Sequence, residues 1–170
     1  MKHNFNAGPC VLPKPAIESA IEAIRDFDNT GIGILEISHR TPGWERIMAE
    51  TEQLWRDLLS ISEEYAVLFL GGGASTQFYH LAANLLNKKA VYLQTGVWAK
   101  KAIKEAKKYC NVNVVASSED KNFYYAPTQD ARKLDPNAAY VHFTSNETLG
   151  GVEFFWPPKT GNVPLFMELS

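Results

Sequence analysis

The first clear periodicity in the chain follows Pro13 and Pro15, where Ile17, Ala20, Ile21 and Ile24 recur every three or four residues after an extended stretch from residue 5 to 12. That spacing predicts a helix with one apolar stripe, and prolines suit its opening turn because the N–H they lack has no partner there. Gly31 and Gly33 break the pattern. A second helical period, residues 44–59, sets Ile47, Thr51, Leu54, Trp55 and Leu58 on one side. Beyond it the chain alternates. Short apolar runs at residues 65–70, 90–93, 112–116, 138–144 and 163–169 predict strands, while helical spacing returns at residues 77–86 and 98–109. This order predicts an α/β layer with a largely parallel sheet whose ligands gather at the carboxyl ends of the strands. The sequence shows no internal repeat, low-complexity tract or linker.

Candidate chemistry concentrates in residues 65–86. The run Tyr65-Ala66-Val67-Leu68-Phe69-Leu70 leads into Gly71-Gly72-Gly73-Ala74-Ser75-Thr76, which opens onto a helix carrying Phe78, Leu81, Ala82, Leu85 and Leu86 on one face. A strand, a glycine turn and a helix in succession leave the first N–H groups of the helix unpaired, where they and the helix dipole favour an anion such as phosphate. A glycine turn also serves simply to pack a helix closely on a strand. No Lys-Ser or Lys-Thr closes this turn, so it is not a P-loop, and its glycines lack the spacing of the dinucleotide fingerprint.

Composition narrows the partners. With 170 residues, 45% hydrophobic and a formal charge of -2, the chain fits one domain with a real core and has no basic excess implying nucleic acid. Lys100, Lys101, Lys104, Lys107 and Lys108 have the spacing of a solvated helix face. Cys10 and Cys110 lie far apart with no metal-ligand pattern, which fits a reducing compartment. The N-terminus has no apolar signal core and no run reaches membrane-spanning length, so the expected location is the cytoplasm, with no membrane partner.

Several motifs converge on one family. Asn4-Phe5-Asn6-Ala7-Gly8-Pro9, Glu36-Ile37-Ser38-His39-Arg40, Gly71-Gly72-Gly73-Ala74-Ser75 with Gln77-Phe78, the segment Thr95 to Ala106, and Asn146-Glu147-Thr148-Leu149-Gly150-Gly151 stand in order and spacing. Together they resemble the phosphoserine aminotransferases, fold-type I enzymes dependent on pyridoxal 5'-phosphate (PLP). The resemblance implies a three-layer α/β/α fold, with residues 1–170 forming an N-terminal segment and part of the large PLP-binding domain; the C-terminal small domain is absent. It implies amino transfer between O-phospho-L-serine and 2-oxoglutarate, giving 3-phosphooxypyruvate and L-glutamate, in serine biosynthesis. It implies a homodimer in the full-length form, and many family members also act on 3-hydroxy-4-phospho-threonine in pyridoxine synthesis.

The same resemblance assigns residues. Ala74 and Ser75 match the backbone N–H groups that hold the PLP phosphate, in agreement with the anion site read from the turn itself. Trp98 matches the aromatic residue stacked on the pyridine ring; by itself it reads as core packing. Thr148 matches a hydroxyl near the ring oxygen, and reads equally well as a turn residue before Gly150-Gly151. His39 and Arg40 match the pair that binds the substrate phosphate, for which a guanidinium fork is well suited; without the family they read as a solvated turn. His3, His80 and His142 have no such match and read as structural.

The chain departs from the family at Phe166-Met167-Glu168, where Glu168 stands in place of the aspartate that meets the pyridine nitrogen. A carboxylate there keeps the nitrogen protonated, a role that the longer side chain can still fill if the ring shifts. The family's Schiff-base lysine belongs to a Gln-Lys-Asn type motif. None of the twelve lysines stands in that context, and Lys159 lies in a Pro-Pro-Lys-Thr-Gly loop. No catalytic residue is therefore expected within this chain, which alone is expected to be inactive. A non-catalytic subunit acting in assembly or regulation, and an unrelated nucleotide-binding α/β domain, stand as alternatives.

Overall fold

A computed structural model describes residues 3–6, 8–85, 89–131 and 134–170. Ala7 of the opening motif and Leu86, the expected helix end, lie outside them. The chain divides into two compact units, Met1–Phe69 and Leu70–Ser170.

The first unit holds α1 (Lys14–Arg25) and α2 (Pro42–Leu59), close to the bounds read from periodicity. Pro15 sits in the first turn of α1, and the Thr41 hydroxyl accepts the Trp44 N–H at 3.4 Å to cap α2. Between the helices the chain folds tightly: Asp26 accepts the Gly31 N–H at 2.9 Å, and a Cβ on Gly33 would fall 2.1 Å from the Ile24 carbonyl oxygen. Arg56 ties the end of α2 to the adjoining segment by donating to the carbonyls of Ser62 and Tyr65. Neither helix buries a residue; Phe27 is the buried hydrophobic side chain of this unit among the described residues. The expected strand at residues 65–70 is not formed. That segment has no pairing partner among the described residues, and Leu68 is 70% exposed. An apolar run supplies side chains for a strand, but a ladder of hydrogen bonds is what makes one.

The second unit runs α3 (Gly73–Asn84), β1 (Lys89–Gln94), α4 (Val97–Ala106), β2 (Asn111–Ser117), β3 (Tyr140–Thr144), β4 (Asn146–Glu147), β5 (Val152–Glu153) and β6 (Leu165–Glu168). Four strands form one parallel sheet in the order β2-β1-β3-β6, and β4 pairs antiparallel with β5 as a two-residue ribbon. The mostly parallel α/β sheet expected from the sequence is present.

Central strands β1 and β3 are buried on both faces, which is why they read as continuous apolar runs. Their alternate residues feed two cores. Ala90, Tyr92 and Tyr140 pack with Phe78 and Ala82 of α3 and with Ala102, Ile103 and Ala106 of α4. Val91, Leu93, Val141 and Phe143 pack on the other side with Ala116, Ala138, Phe154 and Val163. The alanines of α4 let it approach the sheet closely. Among the described residues, no helix is long and apolar enough to cross a membrane.

Polar groups in the first core are aromatic. The Tyr92 and Tyr140 hydroxyls share a 2.9 Å hydrogen bond, and burial pushes both phenols up, Tyr140 to about 12. His142 stacks on Tyr92 with ring centroids 4.9 Å apart and meets the edge of Phe78. Its Nδ1 has no partner, and burial keeps the imidazole neutral down to about 4. Since the folded value lies below the ordinary 6.5, the unfolded chain takes up the proton first, so stability is full above pH 6.5 and falls as pH drops toward 4. Urea unfolding of the wild type should lose about 3 kcal/mol more across that window than His142→Phe does. Parallel pH profiles for the two proteins would refute this.

Candidate functional site

Parallel strands bring their carboxyl ends to one edge, and the residues assigned to the cofactor follow those ends. Trp98 lies in the first turn of α4, two residues beyond the Thr95-Gly96 step that ends β1. Thr148 follows β4, itself reached from β3 through Ser145, and Glu168 is the last residue of β6. Ala74 and Ser75 stand in the first turn of α3.

The N-termini of α3 and α4 differ. At α3 the cap is Gly72, with φ at +98° and no side chain to receive a helix N–H. The Thr76 hydroxyl turns back to the Gly72 carbonyl at 2.8 Å, and a Cβ on Gly72 would fall 2.4 Å from that hydroxyl oxygen. Among the described residues the first N–H groups of α3 thus lack a side-chain acceptor. At α4 the acceptor is Glu147, only 2% exposed, whose two carboxylate oxygens accept the N–H groups of Trp98 and Ala99, each at 2.9 Å. A Cβ on Gly96 would lie 2.6 Å from the Glu147 carboxyl carbon, so glycine is required where the carboxylate enters. One helix end is neutralised and the other is open to an anion.

The remaining assigned groups meet through Glu147 and Ser170. The Thr148 hydroxyl donates to the Ser170 carbonyl at 3.5 Å, and Asn146 donates to the same oxygen at 3.4 Å. Glu168 Oε1 accepts the Ser170 N–H at 2.7 Å and also its hydroxyl. Trp98, Thr148 and Glu168 therefore belong to one connected set; among the described residues no hydrogen bond joins Ala74 or Ser75 to it. Lys101 covers the indole of Trp98 with its ammonium 4.1 Å from the ring centroid. Trp98 Nε1, Thr95 Oγ1 and Thr144 Oγ1 are buried without partners. A cavity of about 420 Å³ beside α3, lined by Phe78, Leu81, His142, Phe166 and Met167 among others, shares only Glu168 with the assigned residues.

His39 and Arg40 belong to the first unit, both exposed, in the loop that Thr41 closes at the start of α2. Glu147 lies within the Asn146 to Gly151 motif, yet sequence reasoning assigns it no role. Its one local signal is Gly96 just ahead of a helix whose own first residues supply no cap.

Residues 2–158 match the family described as aminotransferase class-V. The chain belongs to that family. A phosphoserine aminotransferase of Ectopseudomonas mendocina (strain ymp) is 44% identical over 98% of this chain and 47% of its own length. That of Pseudomonas aeruginosa (strain PAO1) is 46% identical over the same shares. Among solved structures, the phosphoserine aminotransferase from Bacillus circulans subsp. alkalophilus superposes with a TM-score of 0.94 at 44% identity, covering 98% of this chain and 47% of that one. The PLP-bound enzyme from Trichomonas vaginalis gives 0.88 at 35% identity over the same shares. The chain spans about half the length of the curated relatives it matches.

The donor set suits the phosphate and ring of PLP: an uncapped helix end for a phosphate, an indole for an aromatic ring, and buried hydroxyls without partners near the strand ends.

Proposed function

We propose that this chain carries much of the cofactor site of a phosphoserine aminotransferase, which moves an amino group between O-phospho-L-serine and 2-oxoglutarate to give 3-phosphooxypyruvate and L-glutamate. The pathway is serine biosynthesis, the setting the cytoplasm, and the assembly of the full-length protein a homodimer. The observation that carries this reading is the uncapped N-terminus of α3 in a chain of this family.

Bound at this site, PLP supplies an electron sink for negative charge developing at the substrate's α-carbon. The N–H groups of Ala74 and Ser75 hold its phosphate, helped by the dipole of a twelve-residue helix. Trp98 would present its indole to the ring, and the Thr148 hydroxyl, which donates to the Ser170 carbonyl in the free chain, would turn from it to meet the ring oxygen. Glu168, whose Oε1 is engaged by Ser170, would be the residue to hold the ring nitrogen protonated. Arg40 and His39 bind the substrate phosphate, the guanidinium with a bidentate fork and the imidazole with one further donor. The alternative, a non-catalytic partner in assembly, draws its support from the exposed apolar side chains of α2, Leu54, Trp55 and Leu58.

Three measurements test the catalytic reading. Gly73 has φ at +61°, a conformation closed to β-branched residues, so Gly73→Val should distort the first turn of α3 and raise the apparent Kd for PLP. An unchanged titration would remove the phosphate assignment. In a full-length protein carrying this sequence, Arg40→Ala should lower kcat/KM for phosphoserine by roughly 1.5–3 kcal/mol through KM, with PLP content intact; lost PLP at normal KM would contradict it. The 170-residue polypeptide alone should bind PLP weakly and show no turnover. Borohydride reduction and peptide mapping that found one stoichiometric pyridoxyl-lysine, together with transamination, would show that the catalytic amine lies within it after all.

A further inference from the structure

We infer that Glu147 is a positioning residue that sets Trp98 and Thr148 in register with each other across the cofactor site; the inference rests on the function proposed above. Its carboxylate is buried with no cation beside it among the described residues, held by the N–H groups of Trp98 and Ala99 at 2.9 Å each. A buried carboxylate survives only where its oxygens are satisfied, and the first turn of a ten-residue helix supplies two donors and a favourable dipole. The backbone of the same residue is equally committed. Its carbonyl accepts the N–H groups of Gly150 and Gly151 at 3.1 and 2.7 Å, and it pairs with Val152 across the β4–β5 ribbon.

Thr148 is the next residue in the chain, and Trp98 is one of the two residues whose N–H the carboxylate holds. One side chain thereby clamps the helix end that bears the indole to the turn that bears the hydroxyl, although 49 positions separate the partners in sequence. Gly96 leaves the carboxylate its place, since a Cβ there would lie 2.6 Å from the carboxyl carbon. Glu147 touches no cofactor in this scheme; it acts through the two residues it holds.

The test uses the chain as wild type, as Glu147→Gln, which keeps the shape but places an amide donor against one of the two N–H groups, and as Glu147→Asp, which keeps the charge but withdraws it by one methylene. Amide hydrogen exchange without PLP reads the clamp: exchange at Trp98 and Ala99 should accelerate in both variants, while the β1 and β3 amides stay protected. A PLP titration followed by visible circular dichroism reads its consequence: the apparent Kd should rise about tenfold or more and the induced signal of the bound ring should fall, with less change in Asp than in Gln. Unchanged exchange at Trp98 and Ala99 would overturn the clamp. Faster exchange with unchanged Kd and unchanged dichroism would leave Glu147 a purely structural cap and overturn the positioning role. Failure of the wild type itself to bind PLP would overturn the functional reading and this one with it.

Discussion

Parallel pairing of β1 with β3 is the constraint on which the second unit depends. Two parallel neighbours cannot be joined by a tight turn, so the chain must cross over, and every strand delivers its carboxyl end to the same edge. Both faces of these strands are buried, which fixes their register: a slip of one residue would exchange Tyr140 with Val141 between two cores that are filled differently, one by tyrosines and alanines, the other by branched aliphatics and Phe143. The edge that carries Thr95, Thr144 and Glu168 is therefore a product of packing before it is a site.

At that edge the distribution of charge follows from helix ends. A helix N-terminus has unpaired donors that must be met by something. Glu147 meets those of α4, and the carboxylate's own burial is offset by the contact. No side chain among the described residues meets those of α3, where Gly72 cannot reach them and Thr76 bonds the carbonyl behind it. An anion thus gains most at α3. This asymmetry favours an anion at the start of α3, the place that the proposed function gives to the cofactor's phosphate.

Much of this was legible because it is local. Apolar residues at three- and four-residue spacing located α1 to α4, and the central strands β1 and β3 were continuous apolar runs because both of their faces are covered. Residues 65–70 carried the same signal without the partner, so the pattern alone misread them. β4 and β5, with two residues each, are too short to leave any period. The uncapped helix end could be read from three glycines in a row, but the roles of Trp98, Thr148 and Glu168 rested on family resemblance, since Trp98 reads equally as core packing and Thr148 as a turn residue. Glu147 escaped because its contact spans 48 to 49 positions, a distance over which no local pattern speaks.

The two units show what periodicity reports and what it omits. In α4 the apolar positions Ala102, Ile103 and Ala106 are buried because β1 and β3 lie beneath them. The same period in α1 and α2 leaves Ile21 at 42% and Leu58 at 78% exposure. An amphipathic stripe records that a helix gains by being covered, and the gain scales with the apolar area removed from water whatever supplies the cover. Within the first unit the cover is partial among the described residues: Phe27 is the one buried hydrophobic side chain, Ile47 and Met48 are half-buried, and Arg56, Thr41 and the turn at Gly31 add polar contacts. The sheet unit is organised by its core, the helical unit by its caps and turns, and only the first kind of order follows from hydrophobic pattern without knowledge of a partner.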